Sequence, residues 1–562
     1  MRSSDGCWTC RLRRKKCDEI RPVCDTCAAL NITCYFTEDK LEWMDGGLRQ
    51  EEMAERLRKE VKEQAPRRRP VRERLLHTSL PRMPPQGLDD PQLHSQPLKE
   101  AKPCPQSTPQ PRRGTDCILT AGNAHNTITF SRPDTFLLTF YFDNLFPFLF
   151  PFYNPSLLEG GKAWILEMMI SSPVVRQATR CQSSYFFSLA QGQEADWRNV
   201  LEQTRDAFSM LGKSLQVLQG SNIMEHVHGA IRILAGIMQL QRYETSLLSF
   251  DNCQAHLNGA VALFKQLLDN AGSSDPRSSF SVVVSRLGPS SQIAERLEVP
   301  SAEQSAFRFS SALLLFDDIV ASTVLQQRPK LYDYHRRLLD GTDSAVNMET
   351  VMGCQNWVLV QMGEIALLDA WRQSCKSAGN LDMIEMVHIA KTIKTSIETP
   401  LARLKANETK DTGERQRQLN VLTGYDEQQS RTRAAQSSLV TQVWARAALI
   451  YLSVVVPGWQ PASDEIRDNV EGILKLIDSP ISILPRALLR TMMWPFCVAG
   501  CLSEPERRPL FQAIVKGLHP LSVFGTVRKA LEIMERVWRE GHDTGRDLAT
   551  CFKGHGDLVL LV

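Results

Sequence analysis

Six cysteines crowd the first 34 residues, and Cys7, Cys10, Cys17, Cys24, Cys27 and Cys34 follow the spacing C-x2-C-x6-C-x6-C-x2-C-x6-C. Adding 17 to each of the first three reaches each of the last three, so one cysteine–helix–cysteine unit is written twice. Such a repeat predicts a pseudo-twofold arrangement. Each C-x2-C pair lets two sulfurs approach one metal from a single turn, and the x6 spacer allows a short helix before the third sulfur returns. A segment this short holds too little apolar surface to fold alone. Structural zinc supplies about 10–16 kcal/mol to comparable peptides, so fold and metal are expected to appear together.

Two separate tetrahedral zinc sites need eight thiolates, and six cysteines serve two ions only by sharing two sulfurs. Symmetry selects the first cysteine of each copy. Cys7 and Cys24 are therefore expected to bridge, with Cys10 and Cys17 completing the shell of one zinc ion and Cys27 and Cys34 that of the other. Closed shells of this kind are structural rather than catalytic. Disulfide or redox pairing is the competing reading. No apolar leader precedes the cysteines, so a reducing compartment is expected, which favours metal.

The filling differs between the copies. Arg11, Leu12, Arg13, Arg14, Lys15 and Lys16 stand between the second and third cysteines of the first copy, against Ala28, Ala29, Leu30, Asn31, Ile32 and Thr33 in the second. The first half is thus expected to touch nucleic acid and the second to act as scaffold. Six thiolates and two divalent ions leave a charge near −2, which partly offsets the cationic run. The overall charge of +3 divides into +4 over Met1 to Leu80 and about −1 over the remainder, a basic module on a near-neutral body. A solvated face or an import signal is the bland reading of the run, but neither needs a rigid zinc shell.

Together with Arg21-Pro22-Val23 before Cys24, this pattern resembles the fungal binuclear zinc cluster family of transcription factors. The resemblance implies double-stranded DNA as partner, the nucleus as location, and a helix end in the major groove reading CGG-type triplets. The positions matching the family's base-reading pair are Arg13 and Arg14, each able to donate a bidentate pair to guanine worth roughly 1–3 kcal/mol of discrimination. Arg11, Lys15 and Lys16 are assigned to phosphates, which position without specifying. Pro22 matches the proline that turns the chain between the halves.

The finger is assigned to residues 1–36, and a linker with a short charged helix to 37–64. Ala54, Leu57 and Val61 form a seam of barely two heptads. A weak coiled coil, giving a homodimer or heterodimer on DNA, and a solvated helix held by i,i+4 pairs both stay open. Residues 65–129 are expected to be a disordered basic linker, since eleven of thirty prolines fall between Ala65 and Gly114 and no aromatic residue occurs from Met44 to Thr129. Its Arg67-Arg68-Arg69 run suits either nuclear import or a solvated cluster.

From Phe130 the apolar spacing is helical almost throughout, exemplified by Trp197, Val200, Leu201, Thr204, Phe208, Leu211, Leu215 and Leu218. Residues 130–562 are expected to form one large all-α regulatory domain with polar insertions, loops or disordered, near 271–294 and 405–437. The most apolar stretches, Phe136 to Phe152 and Ala487 to Leu502, are broken by Asp143, Pro147, Pro151, Arg490 and Pro495, so no membrane span is expected. The segments Asp143 to Phe148, Met352 to Trp357 and Trp494 to Cys501 resemble the helical domain of a subfamily that includes the acriflavine sensitivity control protein. Members often govern metabolic or secondary-metabolite gene clusters.

Little in this body suggests catalysis. Gly212-Lys213-Ser214 lacks the leading glycine and strand of a phosphate loop, His226 and His228 at i,i+2 face different sides of a helix, and Cys497 with Cys501 sits in an apolar segment typical of packing. The chain is expected to be a regulator and not an enzyme, its body serving coregulators, itself or a small-molecule effector. The alternative is a metabolite-binding or enzymatic helical protein with an accessory zinc module.

Overall fold

The computed structural model describes residues 6–13, 15, 17, 19, 23–28, 32–35, 41, 44, 47, 49–57, 130–156, 159–192, 197–218, 223–288, 291–294, 297–341, 343–407, 426–478, 485–518, 521–541, 546–554 and 557–558. They fall into two units divided between Pro109 and Gln110. The first contains the helices Trp8–Leu12 and Asp25–Ala28, whose cysteines form a small core of their own, and a helix over 49–57. Leu57 of the proposed seam is 2% exposed and Ala54 half-buried. Val61, the 65–129 linker and its arginine run lie outside the described residues.

The second unit is a large helical domain with one hydrophobic core. Its centre is the helix Ala302–Leu325, buried from Phe309 to Val324, Asp317 and Asp318 included, with Arg308 exposed near its start. A helix buried on all faces belongs in the middle of a core. Against it pack Ala163–Ser171, Val227–Leu247, Phe250–Asp269 and Asn356–Ala378. A second group, Met383–Asn407, Asp426–Val455, Asp464–Asp478, Met493–Cys501 and Gly525–Glu540, wraps the C-terminal side. Within Asp426–Val455, the stretch Thr432–Val455 has the length and hydropathy of a membrane span, yet 83% of its apolar window is buried inside this domain.

Local chemistry starts these helices where the sequence allows it. Ser301 and Gln304 form a reciprocal capping box at the central helix. Ser131, Ser172 and Asp275 cap helices that carry proline in the first turn, where a missing N–H does no harm. The segment Tyr141–Leu145 is a π turn leading into Phe146–Leu149, and two short antiparallel ribbons, Ser291–Ala294 with Leu297–Val299 and Lys553–Gly554 with Asp557–Leu558, are the described strands.

Three details depart from the sequence reading. The 271–294 region, expected as a loop or disordered, contains the helix Pro276–Arg286, started by the Asp275 cap and anchored by Phe280, which stacks on Phe307 at 4.6 Å. In the 405–437 region, helix Asp426–Val455 already runs through the second half, and Ser437 is buried with its hydroxyl on Glu349 and the Gly353 carbonyl; residues 408–425 lie outside the described residues. On helix Trp197–Leu218 the buried stripe runs through Val200, Thr204, Ala207, Leu211 and Ser214, leaving Leu201 66% exposed.

Candidate metal centre

The first copy of the cysteine repeat opens with helix Trp8–Leu12, and Cys7 caps it: the Cys10 amide donates to Cys7 Sγ at 3.3 Å. In the second copy the Cys27 amide donates to Cys24 Sγ at 3.4 Å at the start of Asp25–Ala28. The 17-residue relation extends through the backbone. The Cys7 amide donates to Cys17 Sγ at 3.4 Å and the Cys24 amide to Cys34 Sγ at 3.5 Å. Likewise the Lys15 amide donates to the Cys10 carbonyl at 3.0 Å and the Ile32 amide to the Cys27 carbonyl at 3.2 Å. Amides aimed at sulfur favour the thiolate, which is the form that binds metal.

The sulfurs converge. Cys7 Sγ lies 3.7 Å from Cys24 Sγ and 3.8 Å from Cys27 Sγ, and Cys10 Sγ lies 3.5 Å from Cys24 Sγ and 3.7 Å from Cys27 Sγ. Zinc–sulfur bonds of ~2.3 Å put the corners of a tetrahedral site about 3.8 Å apart. Among the described residues, two sets of four thiols have all their sulfurs within 4.8 Å of one another: Cys7, Cys10, Cys17 and Cys24, and Cys7, Cys24, Cys27 and Cys34. The two sets have Cys7 and Cys24 in common. Soft thiolate donors at this separation fit zinc.

Burial and mutual crowding set the protonation of the bare thiols. Burial pushes Cys7 and Cys27 well up and Cys10 to about 11. Burial also acts to raise Cys24, but the Cys27 amide and the neighbouring thiols that donate to it outweigh this and bring it down to about 7. A coordinated divalent cation reverses such penalties by deprotonating its ligands.

Thr9, which the cysteine spacing does not mark, ties the halves together. It is fully buried, donates its hydroxyl to the Thr33 carbonyl at 2.9 Å and accepts the Tyr35 amide at 3.0 Å, while the Trp8 amide donates to the Tyr35 carbonyl at 2.8 Å. The available signal was Thr26, a second threonine 17 residues on.

The cationic run leaves the first helix at its C-terminal end. Arg13 is the C-cap, its amide donating to the Thr9 carbonyl at 3.0 Å. The Arg11 guanidinium sits 4.6 Å from the centre of the Trp8 ring. Among the described residues Arg11 Nε and Arg13 Nη1 are buried without an acceptor, and Lys15 is exposed. Arg14, Lys16 and Pro22 lie outside the described residues. In the body, Gly212, Lys213 and Ser214 lie within helix Trp197–Leu218, His226 precedes helix Val227–Leu247 and His228 lies in its first turn, and Cys497 and Cys501 are buried.

Residues 5–43 match the fungal Zn(2)-Cys(6) binuclear cluster domain, and residues 136–559 match the fungal specific transcription factor domain. Transcription factor dibT of Pestalotiopsis microspora is 32% identical over 99% of this chain and 99% of its own. The pestheic acid cluster transcriptional regulator 3 of Pestalotiopsis fici is 28% identical over 96% of this chain and 95% of its own. The ustiloxin B cluster transcription factor ustR of Aspergillus flavus is 25% identical over 96% and 94%. No solved structure gives a significant match. The chain therefore belongs to the fungal transcription factors that join a zinc-binding Zn(2)-Cys(6) cluster for DNA binding to a fungal-specific helical regulatory domain.

Proposed function

We propose that this chain is a nuclear, sequence-specific regulator of RNA polymerase II genes whose finger holds two zinc ions, with Cys7 and Cys24 bridging them, Cys10 and Cys17 on one and Cys27 and Cys34 on the other. The observation that carries the reading is the pair of overlapping thiol quartets with Cys7 and Cys24 in common. Beside them the first helix and its C-cap carry guanidinium nitrogens of Arg11 and Arg13 that no acceptor among the described residues uses. Such donors suit an anionic partner, because a buried donor left unpaired costs about 1–3 kcal/mol.

In this reading Arg13 and Arg14 contact the guanines of a CGG-type triplet, and Arg11, Lys15 and Lys16 contact phosphates. Replacing Arg14 by Ala relaxes selectivity at one guanine by roughly 1–3 kcal/mol, whereas Lys16→Ala weakens binding to all sequences alike and lowers the salt slope by about 1. Binding titrations across single-base variants of the site at several salt concentrations separate the two. Equal losses at every sequence for both variants would refute the division of labour.

The relatives named for the pestheic acid and ustiloxin B clusters support a further step: the regulated genes form a secondary-metabolite cluster. Genomic occupancy combined with transcript changes after deletion tests it. Occupancy spread over unrelated promoters, with no cluster responding, argues against it.

A further inference from the structure

The helical domain contains a cavity. It lies where Pro173–Ala190 and Val227–Leu247 meet the 3-10 segment Arg486–Met492 and the start of helix Gly525–Glu540. Its volume is about 50 Å³ and it opens to solvent. One water needs ~10–15 Å³, so the space exceeds that of a single solvent molecule.

Two guanidiniums bring positive potential to its wall. Arg490 Nη1 donates to the carbonyls of Phe148 and Leu149, both at 2.8 Å, and its guanidinium lies 4.7 Å from the centre of the Phe148 ring. Among the described residues it has no ion pair with a carboxylate. Arg242 is 9% exposed and pairs through Nη2 with Asp317 at 2.6 Å, and its buried Nε has no acceptor among the described residues. Helix Gly525–Glu540 continues from the 3-10 segment Leu521–Phe524 without a side-chain cap at Phe524, and Gly525 and Thr526 line the cavity.

Two guanidiniums against one carboxylate leave the cavity wall positive. Burial, followed by the nearby Arg242, lowers Arg490 to about 9. The ground state thus carries a cation that its surroundings disfavour, and an anion would relieve it. Tyr185, Phe186 and Phe524 supply aromatic surface on the same wall, which a bare inorganic ion would not use.

We propose that this cavity binds a small organic acid, its carboxylate held by Arg490 beside the Gly525–Thr526 backbone, Arg242 adding positive potential from behind the wall, and its apolar body resting on Tyr185, Phe186 and Phe524. The site joins segments from both halves of the domain, so occupancy stabilises the helical body in proportion to ligand concentration. It is independent of how the finger reads DNA.

The test is isothermal titration calorimetry on the zinc-loaded full chain at constant ionic strength. The probes are sodium benzoate, sodium salicylate, neutral benzamide and inorganic phosphate. At least one of the two aromatic acids binds saturably with one site per chain, and benzamide binds at least tenfold more weakly. Arg490→Gln weakens the acid at least tenfold. Thr526→Phe fills the cavity while keeping both arginines and does the same, which keeps the test valid if Arg490→Gln unfolds. The proposal is overturned if neither acid binds, if benzamide binds as well as benzoate, if phosphate alone binds, or if Thr526→Phe leaves the affinity of the acids unchanged.

Discussion

Cys7 Sγ and Cys24 Sγ lie 3.7 Å apart, and each accepts the amide of the cysteine three residues on, Cys10 at 3.3 Å and Cys27 at 3.4 Å. Each sulfur is at once a helix cap and a member of both thiol quartets. The same local geometry that starts the two short helices therefore points their first cysteines at each other. The repeat in sequence becomes a repeat in hydrogen bonding, and the two halves differ mainly in what lies between the cysteines.

Removing a shared sulfur should cost more metal than removing an outer one. Cys24→Ser is expected to lower the zinc content of the full chain toward none, whereas Cys34→Ser retains about one ion, because only the quartet containing Cys34 is broken. Zinc content by atomic emission on the purified variants checks this. Equal zinc content in the two variants would overturn the assignment of Cys24 as shared and Cys34 as unshared. Chelation of the native chain should abolish DNA binding and leave the melting of the helical body unchanged, since that body has its own core.

Legibility in the sequence follows the distance over which information acts. The zinc-binding finger was readable because ligand reach depends on a few bonds of backbone, and the 17-residue repeat reappears as two overlapping thiol quartets. Helix phase in the body was largely readable for the same reason. Pro276–Arg286 was not, because its serine-rich surface resembles a loop and its anchor, Phe307, lies on another helix. Asp275-Pro276, a cap followed by a first-turn proline, was the local signal that outweighs composition there. The Arg242–Arg490 cavity had no local signature at all, since its wall is assembled from residues as far apart as Leu149 and Thr526.

Gly353 is a position where a methyl group has no room. It ends the helix Glu349–Met352 with φ +74, and a Cβ there would lie 2.3–2.6 Å from the Phe152 ring. Gly353→Ala combines left-handed strain with overpacking, for an expected loss of roughly 2–4 kcal/mol. Urea denaturation of the full chain, followed on the helical body, measures it. An unchanged midpoint would mean that the ring moves aside freely.

His256 should make the body sensitive to acid. Burial lowers its pKa to about 4 from 6.5, and its ring lies 5.1 Å from Phe208. Between these values the unfolded chain takes up a proton that the folded chain refuses, so this contribution is complete above pH 6.5 and is lost as pH falls toward 4. Its size is about 2–3 kcal/mol. Asp317 acts in the opposite sense: burial raises it to about 6 despite Arg242, so its contribution is present at low pH and is lost as pH rises through 6. Comparing the native chain with His256→Gln isolates the histidine. The variant should show a flatter loss of stability between pH 6.5 and 4, and parallel profiles would contradict the assignment.

Trp494 and Trp444 test what holds the two helix groups together. Their rings stack at 5.8 Å with an interplanar angle of 3°, and Trp494 Nε1 donates at 2.8 Å to the hydroxyl of Thr323 on the central helix. Trp444 Nε1 is buried with no acceptor among the described residues, so this pair already carries one unmatched donor there. Thr323→Val adds a second by removing the hydroxyl, for an expected loss of about 1–3 kcal/mol. Trp494→Ala removes the stack and leaves a void against the central helix, for about 3–5 kcal/mol. Urea unfolding followed by far-ultraviolet circular dichroism ranks the two without depending on the indoles themselves. If Thr323→Val proves as stable as the native chain, the stacked rings rather than the hydrogen bond hold Trp494, and the loss in Trp494→Ala is then entirely one of packing.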